Sequence, residues 1–274
     1  MKTNIYQIFY NEVTKKSRDE GFLPLDNTEN HRPDWREYWP IRNYLLNEAL
    51  DEDALYGFFS PKFKAKTGLS SDECFHFINS QPRGIDVVSF SPFHDLGAFF
   101  QNSFLQCLEQ HRNSQFAIEG ALKILVPFQS IDDIVMHSGN NIFCNFFVAK
   151  PKFWRAWLEN CELIWSECEK NSNPIARELN NVAKGHDSPA AIKTFVIERI
   201  ASLILATNHS WKIRAYNPFE LPFSNAGISK ERSALIQMDA LKIAYSDQTR
   251  EEYLKLFKNI ADLVLKKLSS NVQN

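Results

Sequence analysis

Residues 137–157 constrain the fold most, because three kinds of local structure follow one another there without a gap. A loop of small polar residues, His137 to Asn141, precedes an apolar run from Ile142 to Ala149. The run is short, rich in aromatic residues and bounded by a turn signal and a proline, which predicts a buried strand. Pro151 then stands where the first turn of a helix tolerates proline, and apolar residues recur at helical spacing from Phe153 onward. The stretch predicts a polar loop, a buried strand and an amphipathic helix.

Asn145 is the one polar side chain inside this apolar run. An unpaired buried amide costs about 1–3 kcal/mol, so Asn145 must bond a neighbouring backbone group or face a ligand. A structural bond is the usual fate of a buried asparagine. The loop before it, with His137 and Asn140, favours a binding site. We therefore take His137, Asn140 and Asn145 as candidate site residues and keep both roles open for Asn145.

The composition is that of an ordinary globular protein, with 274 residues, 44% hydrophobic and 23% charged. A net charge of −2 leaves no basic excess for a phosphate backbone, so we expect no nucleic-acid partner. The five cysteines are odd in number and include no Cys-x-x-Cys, which fits a reducing compartment and predicts neither a disulfide framework nor a zinc site.

The sequence also predicts a cytoplasmic protein without a transmembrane segment. Lys2 is followed by no apolar signal-peptide region. The most apolar helix candidate, Phe195 to Ala206, contains Glu198 and Arg199 and is too short to span a bilayer.

Strand candidates alternate with helical segments along the first half of the chain. Ile5 to Tyr10, Leu55 to Phe59 and Asp86 to Phe90 are the clearest strands. This alternation predicts an α/β fold with a mainly parallel twisted sheet flanked by helices. Beyond Trp165 the predicted segments are helical, except for a proline- and aromatic-rich connection from Trp211 to Ile228. We expect residues 1–170 to form the sheet domain and residues 171–274 a helical part packed on it as one compact unit.

The predicted helices follow from apolar residues at helical spacing. Outside the helix that starts at Pro151, they cover Pro40–Leu46, Asp72–Ile78, Gly97–Glu109, Phe116–Val126, Pro174–Val182, Ala190–Ala206 and Arg250–Leu268. Just before the first of them, Trp35, Tyr38 and Trp39 have the spacing of one helix face, which predicts an aromatic face docked on the core.

Ligands of open α/β sheets bind beyond the carboxyl ends of the strands, which singles out the residues that follow each predicted strand. These candidate rim residues are Tyr10, Asp26, Asn27, Ser60, Ser91, Phe93, His94 and Asp95. His94 and Asp95 have a structural alternative as caps of the helix that follows them, since aspartate is a favoured cap residue.

Several common chemistries have no local support in the sequence. The Gly-rich nucleotide-binding motifs, the Gly-x-Ser-x-Gly elbow and the His-Glu-x-x-His motif are all absent. What remains are asparagine, aspartate, histidine, serine and aromatic residues gathered at predicted strand ends. Such side chains suit polyhydroxylated or nucleotide ligands.

Five segments resemble sugar-nucleotide glycosyltransferases of the GT-A class, especially those encoded with bacterial capsule and lipopolysaccharide genes. Ile5 to Tyr10 resembles their opening strand, and Gly57 to Phe63 with Asp86 to Val88 occupy the places of the next strands. Asn145 to Trp157 is similar to the segment that shapes their acceptor side. Thr194 to Ile200 is similar to a late helix with a Glu-Arg pair. The resemblance covers most of residues 1–206 with short motifs, and it implies a nucleotide-sugar domain over residues 1–170.

One departure from this family concerns the metal. GT-A enzymes usually hold a divalent cation with an Asp-x-Asp motif, where the metal offsets charge on the leaving diphosphate. At the matching strand end this chain has Asp86 followed by Val87 and Val88, so the second aspartate is missing. A divalent metal is therefore doubtful. Either cations such as Arg42 or Lys62 hold the phosphates, or Asp95 serves as a lone ligand, or catalysis is lost.

The resemblance implies glycosyl transfer from a nucleotide sugar to a glycan acceptor, such as a surface polysaccharide. Asp95 or His137 would be the general base, and Glu198 with Arg199 would reach the donor or acceptor. The alternative for this last pair is a buried ion pair with a structural role. A membrane assembly machinery could hold such an enzyme peripherally.

Two other functions stay open. One is a GT-A-shaped binding or assembly module without catalysis, which the missing Asp-x-Asp favours. The weaker one is an unrelated α/β hydrolase, which the missing nucleophile elbow disfavours.

Overall fold

Six strands form one sheet in the computed structural model, which describes residues 2–184 and 189–272. The strands are β1 (Thr3–Phe9), β2 (Leu23–Asp26), β3 (Leu55–Phe59), β4 (Val87–Ser89), β5 (Phe147–Ala149) and β6 (Ile213–Ala215). Their order is β2-β1-β3-β5-β4-β6. β5 runs antiparallel to both of its neighbours, and the other pairs are parallel. The predicted α/β class with a mainly parallel sheet is thereby confirmed.

Helices cover both faces of this sheet. Within the described residues they are α1 (Glu12–Lys16), α2 (Tyr38–Asn47), α3 (Phe63–Thr67), α4 (Ser71–Ser80), α5 (His94–Phe99), α6 (Ser103–Gln110), α7 (Gln115–Leu125), α8 (Pro151–Lys170), α9 (Pro174–Asn180), α10 (Ile192–Thr207), α11 (Arg232–Gln248) and α12 (Glu251–Val272). Single 3-10 turns lie at Pro33–Trp35, Ile131–Asp133 and Gly227–Lys230.

The alternation of side chains along β3 divides the core between the two faces of the sheet. Phe58 packs into the larger cluster, with Trp154 and other residues of α8 and α10. Phe59 packs into the second cluster, with Phe63 of α3 and Ile78 of α4. All five residues of β3 are buried, which fits a strand at the centre of a sheet covered on both faces.

The predicted strand over Ile142 to Ala149 is correct only for its last three residues. Cys144 and Asn145 have left-handed backbones, with φ of 62° and 53°, and such residues cannot continue a strand. The run is apolar because Ile142 and Phe146 are buried within the turn itself. Apolar burial was mistaken for a strand. The helix predicted after it is confirmed, and Pro151 is its first residue.

Two predicted helical stretches are interrupted. Gly97 to Glu109 falls into α5 and α6, because Asn102 caps α6 by accepting a hydrogen bond from the Leu105 amide at 2.9 Å. Trp35, Tyr38 and Trp39 do not share a helix face, because Arg36 has a non-helical backbone with a positive φ of 47° and α2 begins only at Tyr38.

The C-terminal part contains two elements that the sequence pattern did not indicate. β6 lies in the stretch predicted as a connection, and it pairs with β4. α11 forms an antiparallel pair with α12, and its apolar face packs on α5. Among the described residues, no helix combines the length and the hydropathy needed to cross a bilayer.

Candidate functional site

A cleft opens at the sheet edge where β1 and β3 end. Its outer part encloses about 240 Å³, and an inner recess adds about 30 Å³. The residues that line both parts are Arg36, Glu37, Ser60, Lys66, Cys144, Thr194 and Glu198. They come from the turn before α2, the end of β3, α3, the turn before β5 and α10. The position is the one at which open α/β sheets bind ligands.

Glu37 reaches the cleft because the chain turns sharply before α2. The 3-10 turn at Pro33–Trp35 is followed by Arg36, whose backbone has a positive φ of 47°. Trp35 and Tyr38 on either side are 1% and 2% exposed and pack against aromatic rings of α8. Because these two rings are anchored in the core, the charged pair between them is left to line the cleft.

Glu198 reaches the same cleft from the middle of α10. This helix is apolar nearly all round, and its neighbours Ile197 and Arg199 are buried while Glu198 is half-buried. A helix of this kind belongs to a core, so a charged residue within it needs a partner or a cavity. Here it lines the cleft.

The charge of Glu198 affects the protonation of Glu37. Burial and the nearby charge of Glu198 raise the pKa of Glu37 above its ordinary value of 4.5. Tyr10, which follows β1, hydrogen-bonds Glu37, and burial together with this carboxylate raises the pKa of the Tyr10 hydroxyl. A carboxyl group with a raised pKa is suited to proton transfer near neutral pH.

Lys66 supplies a positive charge to the cleft from α3. Its Nζ donates to Cys144 Sγ at 3.0 Å. Burial opposes the charge, but Cys144, Glu198 and Glu37 together raise the pKa of Lys66 above its ordinary value. Burial also raises the pKa of Cys144 to about 11, although Lys66 opposes this. At neutral pH the lysine is therefore a cation and the thiol is not a reactive thiolate.

Six of the predicted site residues line the cleft, and a seventh lies against it. The six are Ser60, Lys62, Phe93, Asn145, Glu198 and Arg199, and the seventh is Tyr10. Asn145 is 5% exposed, and its amide oxygen has no hydrogen-bond partner.

Arg199 has a structural role, although it lines the outer part. Its guanidinium donates to the carbonyls of Ser103 and Phe195 and to Gln106 Oε1, each at 2.7 Å. The sequence analysis also considered a buried ion pair for Arg199. Its partners are instead neutral acceptors, and those in α6 join that helix to α10. Arg42 is likewise occupied, because it forms two hydrogen bonds with Glu162 and lies over the ring of Trp165. It does not line the cleft.

Asp95 lies outside the cleft, in α5, with no exposed surface. Its carboxylate accepts hydrogen bonds from the Ser224 amide, the Ser224 hydroxyl and the Ser229 hydroxyl. These bonds attach α5 to residues 224–229. Asp95 does not line the cleft, so its position does not support the predicted roles as a base or as a lone metal ligand.

Ser91 and His94 line a separate cavity of about 20 Å³, beyond the ends of β4 and β6. The Ser91 hydroxyl accepts a hydrogen bond from the Phe143 amide at 2.9 Å. His94 is buried, its Nε2 has no partner, and burial lowers its pKa. This cavity has room for about one water molecule.

His137 and Asn140 stabilise their own loop. Asn140 Oδ1 accepts from the His137 amide at 2.8 Å, and His137 Nδ1 accepts from the Gly139 amide at 3.1 Å. Burial lowers the pKa of His137 to about 4, so the ring is neutral at physiological pH. The loop contacts α11 through Ser138, whose amide and hydroxyl donate to Asp239.

Asp26 and Asn27 end the edge strand β2 away from the cleft. Asp26 is exposed and accepts from the amide and hydroxyl of Thr28. Asn27 is buried and bonds the Phe9 carbonyl and the Asn30 side chain. Both residues stabilise the turn that leaves the strand.

Five of the residues that line both parts of the cleft were missed by the sequence analysis: Arg36, Glu37, Lys66, Cys144 and Thr194. Two signals could have found the three charged ones. Arg36 and Glu37 are a charged pair inside the densest aromatic run, between residues that we assigned to the core. Lys66 lies one helical turn after Lys62, on a helix that starts at the end of a buried strand.

Two wider grooves lie elsewhere on the surface. One of about 760 Å³ includes Glu52, Asp53 and Lys150, at the edge where β3 begins. The other, of about 520 Å³, lies between α4 and the residues after β6. Neither contains a buried polar atom without a partner, whereas the cleft contains the Asn145 oxygen. The cleft is therefore the stronger candidate.

Comparisons with models of known families, with curated proteins and with solved structures find no match to this chain. The residues described by the structure also include no group of three or more histidine, cysteine, aspartate or glutamate side chains placed to hold a metal ion. The functional argument therefore rests on the cleft.

Proposed function

We propose that the cleft binds a nucleotide sugar and transfers its sugar to a hydroxyl group of a glycan acceptor. The observation that carries this proposal is the meeting of two carboxylates, Glu37 and Glu198, with the cation Lys66 at the carboxyl ends of β1 and β3. Sugar transfer from a nucleotide requires both kinds of charge. A base must take the acceptor proton, and a cation must stabilise the leaving diphosphate.

The cations of the outer part suit the diphosphate. Lys66 is charged, and Lys62 at the start of α3 and Arg36 line the same space. Arginine and lysine side chains bind phosphate oxygens through charge-assisted hydrogen bonds. They would take the place that a divalent ion has in enzymes with an Asp-x-Asp motif, so the proposal needs no resident metal.

The carboxylate pair suits proton transfer. In the proposed step the acceptor hydroxyl gives its proton to the Glu37 carboxylate, and the acceptor oxygen bonds to the anomeric carbon. The bond between that carbon and the diphosphate oxygen breaks, and the diphosphate leaves with the electron pair. The direction of the Glu37 pKa shift favours this assignment, because a raised pKa makes its carboxylate a stronger base. Asp95 and His137, the bases predicted earlier, lie outside the cleft.

The volume of the cleft limits what it encloses. About 240 Å³ is below the roughly 300–1,000 Å³ of pockets that bury a whole drug-sized ligand. The cleft would thus enclose the sugar and the diphosphate, with the nucleoside lying across its open side. A surface polysaccharide as acceptor, a peripheral place at a membrane assembly machinery and a cytoplasmic location stay predictions from the sequence.

The test is the release of nucleoside diphosphate from a panel of nucleotide sugars, with and without oligosaccharide acceptors. We expect release by the wild type and a loss of about 100-fold or more in Glu37→Gln, as is typical for a general base. Glu159→Gln, an exposed position on α8, is the matched control and should keep full activity. Binding without release for every acceptor would favour the non-catalytic module. Absence of both binding and release would contradict the proposal.

A further inference from the structure

The inner recess has an unsatisfied hydrogen-bond acceptor. The amide oxygen of Asn145 is buried without a partner, although Asn145 lines the recess together with Glu37 and Glu198. A buried acceptor without a partner destabilises the protein, because it has lost its hydrogen bond to water. Such a cost is usually removed by a water molecule or by a ligand that brings a donor.

The backbone that carries this amide is also held in an uncommon conformation. Cys144 and Asn145 are consecutive residues with left-handed φ angles of 62° and 53°. Asparagine tolerates this region, whereas cysteine adopts it rarely. Such conformations persist where surrounding structure imposes them, and they cluster at ligand sites. Here the buried residues Ile142 and Phe146 flank the turn and fix it in the core.

The size of the recess restricts its occupant. About 30 Å³ is roughly the space of one water molecule, so a nucleobase or a phosphate group does not fit. One hydroxyl group does. The recess shares the lining residues Glu37, Lys66 and Glu198 with the outer cleft, so a ring in the outer part could extend such a group towards it.

The chemistry of the lining selects a hydrogen-bond donor. Asn145 and the carboxylates offer oxygen acceptors, and Lys66 already donates to Cys144. A hydroxyl group can donate to one of these oxygens and accept from another group at the same time.

We propose that the recess is a subsite for one hydroxyl or hydroxymethyl group of a sugar ring, and that this group donates a hydrogen bond to Asn145. The inference rests on the proposed function, which places a nucleotide sugar in the cleft. It adds that the chain recognises the sugar at one ring position and that Asn145 determines this specificity.

Asn145→Gly is the sharpest variant, because glycine adopts a positive φ without strain and removes only the side chain. By calorimetric titration we expect this variant to bind the nucleotide sugar about tenfold more weakly than the wild type does. Its affinity for the parent nucleoside diphosphate should be unchanged. Asn145→Asp keeps an acceptor oxygen and should bind better than the glycine variant. Asn140→Ala, which alters a buried asparagine outside the cleft, should bind both ligands like the wild type.

Monodeoxy sugars complete the test. We expect the affinity of the wild type to fall about tenfold when the hydroxyl group at one ring position is removed. Asn145→Gly should bind that deoxy sugar and the parent sugar equally well. Equal affinity of Asn145→Gly and the wild type for the nucleotide sugar would overturn the subsite, because the amide would then only permit the turn. An equal loss for the nucleotide sugar and the nucleoside diphosphate would also overturn it.

The two proposals can fail separately. If no nucleotide or nucleotide sugar binds to the wild type, the proposed function fails. Ligand-observed NMR with methyl glycosides then tests the recess directly, and a signal reduced in Asn145→Gly supports it. Absence of any difference between the two proteins, or of any glycoside binding, overturns the recess as a sugar subsite.

Discussion

Glu37 and Glu162 show how the environment of one residue decides the role of a carboxylate. Both lie close to Tyr38, Glu37 as its neighbour in sequence and Glu162 as its hydrogen-bond partner. Burial and the charge of Glu198 raise the pKa of Glu37. Burial acts in the same direction on Glu162, but hydrogen bonds from Arg42 and Tyr38 outweigh it and lower its pKa. One carboxyl group is left available in the cleft, and the other is fixed in an ion pair.

These opposite shifts predict opposite effects on stability. A raised folded-state pKa means that the native state binds the proton more tightly, so stability falls as pH rises from about 4.5 through that pKa. Glu37→Gln should therefore be more stable than the wild type at about pH 8, by about 0.5–2 kcal/mol, and lose this advantage towards about pH 4. Denaturant unfolding at several pH values measures it.

Glu162→Gln is the matched comparison. A lowered pKa stabilises the fold above the unfolded-state value and loses that effect as pH falls through the folded pKa. The variant should be less stable than the wild type at about pH 8, by about 0.5–3 kcal/mol, and approach it in acid. The account of the two environments is wrong if both substitutions change stability with the same sign and pH dependence.

The sequence predicted some residues of the cleft correctly and placed others there wrongly, because it does not show which polar groups are already hydrogen-bonded. Asn145 stood out because a polar side chain in an apolar run must be explained, and it does line the cleft. Asp95, His137 and Arg199 carry equally conspicuous functional groups, but their partners Ser224, Gly139 and Ser103 depend on the turn and tertiary geometry. Nothing in the local sequence shows whether such a group is already satisfied.

At the scale of elements, Asp95 attaches α5 to the segment after β6. Asp95→Ala would remove the carboxylate that accepts from the Ser224 amide and hydroxyl, and one of the two acceptors of the Ser229 hydroxyl. A donor left unpaired in the protein interior costs about 1–3 kcal/mol. We expect a clear loss of stability in denaturant unfolding, with nucleotide binding retained by the folded protein. The exposed Asp53→Ala should change neither. Unchanged stability with lost binding would instead place the Asp95 carboxylate on the ligand.

Lys242 attaches α11 to the end of α5. It is fully buried, and its Nζ donates to the carbonyls of Gly97 and Phe100. Burial lowers its pKa from 10.5 to about 7, although Asp239 opposes the shift. Between these two values the unfolded chain binds the proton more tightly than the native protein, so stability contributed by this group increases with pH.

Lys242→Met removes this dependence. The stability of the wild type relative to the variant should increase between about pH 7 and pH 9, by up to about 1.4 kcal/mol per pH unit. Comparing the two proteins cancels the titration of groups that they share. A difference that stays constant over this range would show that the Lys242 amine titrates alike in the folded and unfolded chains.

Which elements the sequence revealed depended on how regular their patterns are. β3 and the start of α8 were predicted to the residue, because a fully apolar run and a proline at the first helical position leave little choice. α11 was missed because it buries few of its residues, among them the polar Asp239 and Lys242. β6 is only three residues long and half-exposed at the sheet edge, so neither length nor alternation marks it.

For the whole molecule, the alternation of strands and helices was sufficient to predict the class of fold but not the cleft. Its lining joins residues near positions 36, 60, 144 and 198, which are distant along the chain and meet only in the folded structure. The rule that ligands bind at carboxyl ends of strands found Ser60 and Tyr10. That rule does not indicate α3, nor does it indicate the turn that precedes α2, because neither is the end of a strand.

The most direct test of the cleft is calorimetric titration of nucleotide sugars and nucleoside diphosphates into three proteins. They are the wild type, Lys66→Met and Lys64→Met, whose substituted lysines share α3 while only Lys66 lines the cleft. We predict that the wild type binds at least one nucleotide sugar, with little change in affinity in the presence of a chelator. Lys66→Met should bind it about 10–100-fold more weakly, since a hydrogen bond to a charged group contributes about 1.5–3 kcal/mol, and Lys64→Met should match the wild type. Equal effects of the two substitutions, or no binding of any ligand in the panel, would contradict the account.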